Sequence, residues 1–255
     1  MANIQSLPLL LKELRLTTIS QHWQSISEKA IKDAWEPAQF LVELCELETN
    51  NRYENKLKRL LKESQLPIGK QISQYDFNEI KGITSQQIQH KTNQLDWLRK
   101  GHNLLLFGAS GLGKTHLGAA IGYALIEKSI RVKFTSSTAL TQQLQKARDE
   151  LNLETALKKL DKYELLILDD IGYVKKSDSE SQVLFELIAH RYERSSLLIT
   201  TNQAFSEWDS IFGDNMMTVA AIDRLVHHAD IYKIEGESYR KKHALKSHPI
   251  TGQAN

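Results

Sequence analysis

The stretch GASGLGKT, residues 108 to 115, constrains this chain more than any other segment in it. It fits the pattern Gly-x-x-x-x-Gly-Lys-Thr through Gly108, Gly113, Lys114 and Thr115. An apolar run, NLLLF, precedes it, and a helix-forming run, THLGAAIGYALIEK, follows it. Glycines let a backbone wrap tightly, and the free N–H groups that open a helix attract an anion. A strand, a glycine-rich turn and a helix in that order therefore make a phosphate cradle. The expected nucleotide contacts are Gly108, Ala109, Ser110, Gly111, Leu112, Gly113, Lys114, Thr115 and His116. Lys114 is placed to reach the β- and γ-phosphates of ATP, and Thr115 to ligate Mg²⁺.

Such a strand needs buried neighbours, and the rest of the chain supplies them. Short apolar runs recur at 103–108, 130–136, 164–170, 196–202 and 230–236, most of them separated by a helix-length segment. This predicts a three-layer α/β core with a mostly parallel five-stranded sheet, covered on both faces. Upstream the pattern is helical. Leu7, Leu10, Leu11 and Leu14 share one face, Pro37 opens a further helix, and Phe40, Leu41, Leu44 and Leu47 continue an apolar stripe. Pro67, Gly69 and Gly82 then break the periodicity. The expected division is a small all-helical domain at 1–66, a linker at 67–82, the α/β core at 83–246 and a flexible tail at 247–255.

Polar residues at strand ends identify further candidates. LLILDD ends in two carboxylates, where Asp169 would hold Mg²⁺ and Asp170 would orient or deprotonate an attacking water. Many ATPases carry Glu at the second position, so the shorter Asp170 predicts slow hydrolysis. Asn202, at the end of LLITTN, is placed to position that water. Arg224 lies on a helix whose other face is Ile222, Leu225 and Val226, and it would reach a neighbouring subunit's γ-phosphate in trans. Arg240, after the last strand, would reach it in cis. His227 and His228 have no cysteine cluster or suitably spaced carboxylate beside them in sequence, and read as ordinary helix residues.

Composition narrows the class. A net charge of +2 neither demands nor excludes nucleic acid. The single cysteine, Cys45, rules out an internal disulfide and fits a reducing cytosol. The N-terminus has no basic head before its short apolar run, and no apolar run approaches a membrane span. The expectation is a soluble cytoplasmic protein with no membrane partner.

Taken in order, LLKELRL, FLVELCELETNNRYENKLKRLLKESQLP, YDF, GHNLLLFGASGLGKTHLG, LLILDDIGYV, HRYERSSLLITTNQAFSEW, IFGD, AAIDRLVHHA and GESYR resemble the AAA+ ATPases of the bacterial initiator and helicase-loader clade. The chain is most similar to the IstB-type ATP-binding helper proteins of insertion-sequence transposition. That resemblance implies a P-loop core with a truncated lid. It also implies an ATPase with ATP and Mg²⁺ as cofactors, and a homo-oligomer with ATP at its subunit interfaces. The partners implied are duplex DNA, bound largely without sequence preference, and a cognate transposase that receives it. Lys114, Thr115 and Asp169 match the nucleotide and metal positions, Asp170 the catalytic acid, Asn202 the first sensor, Arg224 the arginine finger and Arg240 the second sensor. Only a short segment follows Arg224, too little for a full helical lid.

Duplex binding requires clustered positive charge. Arg52, Lys56 and Arg59 recur at spacings of four and three on one helix face, with Lys62 beyond them. Lys146 with Arg148, and Lys175 with Lys176, are further candidates. No aromatic is interleaved with them for stacking on single strands. An alternative reading is a DnaC-type helicase loader acting with single-stranded DNA. A small-molecule kinase is a third, disfavoured because no acceptor-binding insertion is evident.

Overall fold

The computed structural model describes residues 4–172, 177–212 and 215–239. The chain divides into two compact units, Met1–Arg59 and Leu60–Asn255. The division falls inside a helix, earlier than the expected boundary at 66, because one uninterrupted helical run with no glycine or internal proline belongs to both units.

The first unit holds α1 (Leu7–Glu13), α2 (Thr17–Lys32) and most of α3 (Pro37–Ser64). Its small core joins Leu11, Ile19 and Leu44, with Trp23, Ile26 and Phe40 packed against them. Leu10, Leu14 and Leu41 of the expected apolar stripes stay exposed.

A buried carboxylate ties these helices together. Glu48, on α3, is 5% exposed. Its Oε2 accepts the Thr18 and Ile19 N–H groups that open α2, at 2.8 and 3.1 Å. Its Oε1 accepts from Arg52 Nε at 2.7 Å, and Arg52 Nη2 donates to the Arg15 carbonyl at 2.7 Å. Burial by itself would raise the Glu48 carboxyl. The Arg52 hydrogen bond and the Ile19 and Thr18 donors outweigh it and hold the group below its ordinary value of 4.5. A carboxyl depressed in the native state contributes stability above its unfolded value, and that stability is lost as pH falls through the native value. The first unit is therefore expected to lose helicity on acidification below pH 4.5. Glu48→Ala should cost it about 1–3 kcal/mol near neutrality by orphaning two helix-opening donors. Circular dichroism across the acid range checks both; an unchanged acid transition in the variant would exclude Glu48 as the origin.

The second unit runs β1 (Ile80–Lys81), α4 (Ser85–Asn93), α5 (Asp96–Arg99), β2 (Asn103–Phe107), α6 (Lys114–Glu127), β3 (Val132–Ser136), α7 (Ser137–Asp149), α8 (Leu153–Leu160) and β4 (Leu165–Asp169). It continues with α9 (Asp178–Arg191), β5 (Ser196–Thr201), α10 (Asp209–Phe212), α11 (Asn215–Val226), β6 (Ala229–Lys233) and β7 (Glu235–Gly236). Five strands form one parallel sheet in the order β3-β4-β5-β2-β6, and they coincide with the five expected apolar runs.

Strand alternation assigns the two faces. Leu105, Phe107, Leu166, Leu168, Leu197 and Ile199 join the core formed with α7, α8, α9 and α11. On the other face α6 lies close to the sheet, since a Cβ on Gly118 would sit 3.2 Å from Leu198. The central strands β2 and β5 are buried throughout, whereas the edge strands β3 and β6 are only partly covered. Phe107, Phe205, Trp208 and Phe212 pack as an aromatic cluster, so the F-x-x-W pair belongs to the core.

The stretch expected to be a linker, 67–82, is built into the second unit. β1 pairs antiparallel with β7, matching Ile80 with Gly236 and Lys81 with Glu235. Tyr123 donates to the Pro67 carbonyl at 3.3 Å. Pro67 follows the end of α3 and Gly82 precedes α4, while Ile72, Tyr75, Phe77 and Ile80 are partly buried and Ile68 is exposed. The tail and the expected truncated lid lie outside the described residues.

Candidate nucleotide-binding site

The site sits where β2, β4 and β5 end together. The carbonyl of Thr201 accepts from Gly108 N–H at 3.2 Å, which brings the end of β5 against the start of the phosphate loop. The loop then closes onto α6 through Gly113, whose φ of +76° disfavours any residue with a side chain. A Cβ there would also lie 2.8 Å from the Tyr75 ring. Tyr75 Oη donates to the Leu112 carbonyl at 3.2 Å, and its ring meets Phe77 and His116 edge-on. Burial pushes the Tyr75 phenol up to about 12, so the group stays a proton donor to the loop. Burial likewise holds the His116 imidazole below its ordinary value, against the Gln71 carbonyl that accepts from or faces its Nε2 at 3.1 Å.

The side chains expected to hold nucleotide and metal converge inside this frame. Lys114 is 7% exposed, and its Nζ donates to the Gly108 and Ala109 carbonyls at 2.7 and 2.9 Å. Thr115 Oγ1 donates to Asp169 Oδ2 at 3.0 Å. Thr200 Oγ1 donates to Asp169 Oδ1 at 2.7 Å and accepts the Asp170 N–H at 2.8 Å. Burial raises the Asp169 carboxyl above its ordinary value, the Thr200 and Thr115 hydroxyls oppose that rise, and the neighbouring Asp170 adds to it. A carboxylate in that setting gains from a cation beside it.

Asp170 adopts φ +61°. Asp is among the few side-chain-bearing residues that tolerate this left-handed region, which gives the shorter acid a local backbone reason to stand here. Asn202 is exposed immediately after β5, beside the phosphate loop.

Arg224 lies apart from this cluster, on α11. Its Nη1 donates to the Ala220 carbonyl at 2.8 Å, and its guanidinium stacks over Phe185 at 5.1 Å. It lines an open groove with Tyr192, Met216 and Val219, the last two 80% and 62% exposed. Arg240 lies outside the described residues. The chain leading to it passes over the phosphate loop, since Tyr239 N–H donates to the Gly111 carbonyl at 3.1 Å and a Cβ on Gly111 would lie 2.2 Å from Ser238 Oγ.

Of the basic candidates, Arg52 is engaged by Glu48 and Arg15 as described above. Lys56, Arg59 and Lys62 are exposed on α3. Lys146 is exposed and lies 3.9 Å from Glu150, while Arg148 lies 3.6 Å from Glu186 of α9. Lys175 and Lys176 lie outside the described residues.

Sequence reasoning missed Thr200 and Tyr75. The signal for Thr200 was a pair of threonines ending an otherwise apolar strand, LLITTN. Tyr75 stood within the YDF stretch but had no role assigned, because its partners are the loop residues far along the chain.

If Asp170 acts on an attacking water as the sequence leads one to expect, replacing it with Asn should lower the hydrolysis rate by about a hundredfold or more while ATP affinity changes little. A steady-state phosphate assay beside an equilibrium binding measurement separates the two. Equal loss in both would move Asp170 from the reacting water to nucleotide binding.

Comparison with known proteins agrees with this geometry. The family model for IstB-like ATP binding proteins matches residues 9–247. An insertion-sequence ATP-binding protein of Sinorhizobium fredii is 48% identical over 94% of this chain and 81% of its own. The insertion sequence IS21 ATP-binding protein of Pseudomonas aeruginosa is 34% identical over 97% of this chain and 93% of its own. Among solved structures, DnaI matches with a TM-score of 0.58 at 20% identity, over 68% of this chain and 96% of that one. AMPPCP-bound DnaA from Aquifex aeolicus matches with a TM-score of 0.56 at 16% identity, over 74% of this chain and 58% of that one. The parallel sheet and phosphate loop are those of the AAA+ P-loop fold. Among the described residues no helix is long and apolar enough to cross a membrane.

Proposed function

The chain belongs to the family of IstB-like ATP binding proteins, and on that premise we propose that it is an ATP-switched assembly factor for target DNA. ATP binding drives its oligomerisation on duplex DNA, the assembly presents that duplex to a cognate transposase, and hydrolysis dissolves it. The observation that carries this reading is the reach of the similarity. Insertion-sequence ATP-binding proteins match 94–97% of the chain, including most of the helical first unit, whereas the DnaI match covers 68%.

The chemistry follows from the residues in place. The loop N–H groups and Lys114 hold the β- and γ-phosphates. The Thr115 hydroxyl and Asp169 carboxylate, 3.0 Å apart, are hard oxygen donors suited to Mg²⁺. When bound, Mg²⁺ neutralises phosphate charge. Asp170 orients the attacking water or takes its proton, and Asn202 positions that water. Thr200 holds Asp169 and the Asp170 backbone in register. Arg224 reaches a neighbouring subunit's γ-phosphate, and its place on an exposed groove supports a role between subunits. Arg240 completes the site in cis.

For duplex contact, Lys56, Arg59, Lys62 and Lys146 present exposed charge, with Arg52, Arg148, Lys175 and Lys176 as further candidates. Light scattering with ATP or ADP, and with duplex or single-stranded DNA of equal length, tests the whole reading. A large assembly is expected only with ATP and duplex, and Arg224→Ala should abolish it while leaving ATP affinity within about threefold. Assembly on single strands would favour the helicase-loader alternative.

A further inference from the structure

Two adjacent histidines that carry no metal signal in sequence acquire one in the fold. One ring nitrogen each from His227 and His228 and one carboxylate oxygen of Glu193 lie within 4.8 Å of one another. Glu193 comes from the turn after α9, where its φ of +56° is a left-handed conformation that a long side chain rarely adopts. The histidines follow α11. His228 is held on two sides. Its carbonyl accepts from Asn103 N–H at 2.7 Å, and its ring stacks on His102 at 5.0 Å between centroids with planes 7° apart. His227 is held by Tyr192, whose Oη lies 2.6 Å from Nδ1. When Nδ1 carries the proton it donates to that hydroxyl, which leaves Nε2 with its lone pair for a metal. This is the outer-shell arrangement that orients metal-ligating imidazoles.

We propose that Glu193, His227 and His228 form a surface binding site for a divalent transition-metal ion of the zinc class. The donor set is two imidazoles and a carboxylate, which suits Zn²⁺ rather than Mg²⁺ or Ca²⁺. Ligand atoms about 2.1 Å from a tetrahedral ion stand about 3.4 Å apart. His228 Nε2 and Glu193 Oε1 stand 3.7 Å apart and no pair of the three ligand atoms exceeds 4.8 Å, so side-chain rotations bring the set to that spacing. The site is open, and a water or another molecule takes the fourth position. It lies where β2 and β6 begin, at the opposite end of these strands from the phosphate loop. Bound metal clamps the end of α11, the helix that carries Arg224, to the turn after α9. The proposal stands on these side chains alone and is independent of the nucleotide reading.

Calorimetric titration of ZnCl₂ into the full chain, metal-stripped and free of nucleotide, tests it. Wild type is expected to take up zinc with a Kd of about 10 μM or tighter at this site. Saturating zinc should raise its thermal midpoint by about 5 °C. The His227→Ala, His228→Ala double variant should lose this binding and the thermal shift. Glu193→Gln should weaken binding by about tenfold or more. The variants leave the other histidines, His243 and His248 included, unchanged, so the difference isolates the proposed ligands. If the double variant does not fold, Glu193→Gln carries the test, because its exposed side chain is not part of the core. Wild-type affinity in Glu193→Gln, or no zinc uptake by wild type, overturns the proposal.

Discussion

Replacing Lys114 with methionine is expected to weaken ATP binding by about a hundredfold or more and to remove measurable hydrolysis. The side chain is almost fully buried in the loop, with its ammonium bonded to the carbonyls of Gly108 and Ala109. A phosphate group bound in the loop would meet that charge at short range and away from water, where charge-assisted hydrogen bonds contribute about 1.5–3 kcal/mol each. Losing one or two of them accounts for a factor of this size. Methionine keeps the apolar stem and approximate volume, so the fold should survive. Titration with a fluorescent ATP analogue, beside a melting curve without nucleotide, provides the measurement. Affinity within about threefold of wild type would mean that Lys114 does not face the phosphates. The same variant should fail to assemble on duplex DNA at any ATP concentration used for wild type, because the proposed assembly depends on bound ATP.

Replacing Arg191 with alanine should destabilise the second unit by about 3–5 kcal/mol. Arg191 is 1% exposed. Its Nη1 donates to the Leu160 carbonyl at 3.2 Å, and its Nη2 donates to the Tyr163 and Ser196 carbonyls at 2.9 and 3.1 Å. One guanidinium therefore closes the end of α8, the turn before β4 and the start of β5. Burial pushes its pKa down to about 10, which still leaves it charged at neutral pH. Alanine would orphan three buried carbonyls and leave a cavity between helix and sheet. Lysine keeps the charge but cannot span three acceptors with a planar fork, so it should recover only part of the loss. Urea unfolding followed by Trp fluorescence measures the difference; a cost under about 1 kcal/mol would show that the carbonyls find other donors.

Both residues illustrate how far sequence reading carries. Lys114 announced itself, because the phosphate loop is a run of consecutive residues whose spacing states its chemistry. Arg191 sits in HRYERSS with no such pattern, and its importance comes from three carbonyls that the fold gathers around it. The strands were legible because burial on both faces demands continuous apolar runs, and all five runs became sheet. The segment 67–82 was read as a linker because Pro67, Gly69 and Gly82 interrupt it. Local propensity marks where a helix stops, but it does not say what the following residues pack against. Tyr75 packs on the phosphate loop, and β1 finds β7 at the other end of the core.

By itself the sequence determined the class of the fold, the phosphate cradle and the acids at the strand ends, since each depends on neighbours in the chain and on a fixed period. The tertiary structure decided what depends on residues brought together from afar. It placed Thr200 as the hydroxyl that holds Asp169. It brought Arg52 to the Arg15 carbonyl and Glu48 to the start of α2. It set Glu193 beside His227 and His228. The physical reason is that hydrogen bonds and metal ligation act over a few ångströms of space, and distance along the chain fixes that separation only within a single turn, strand or helix.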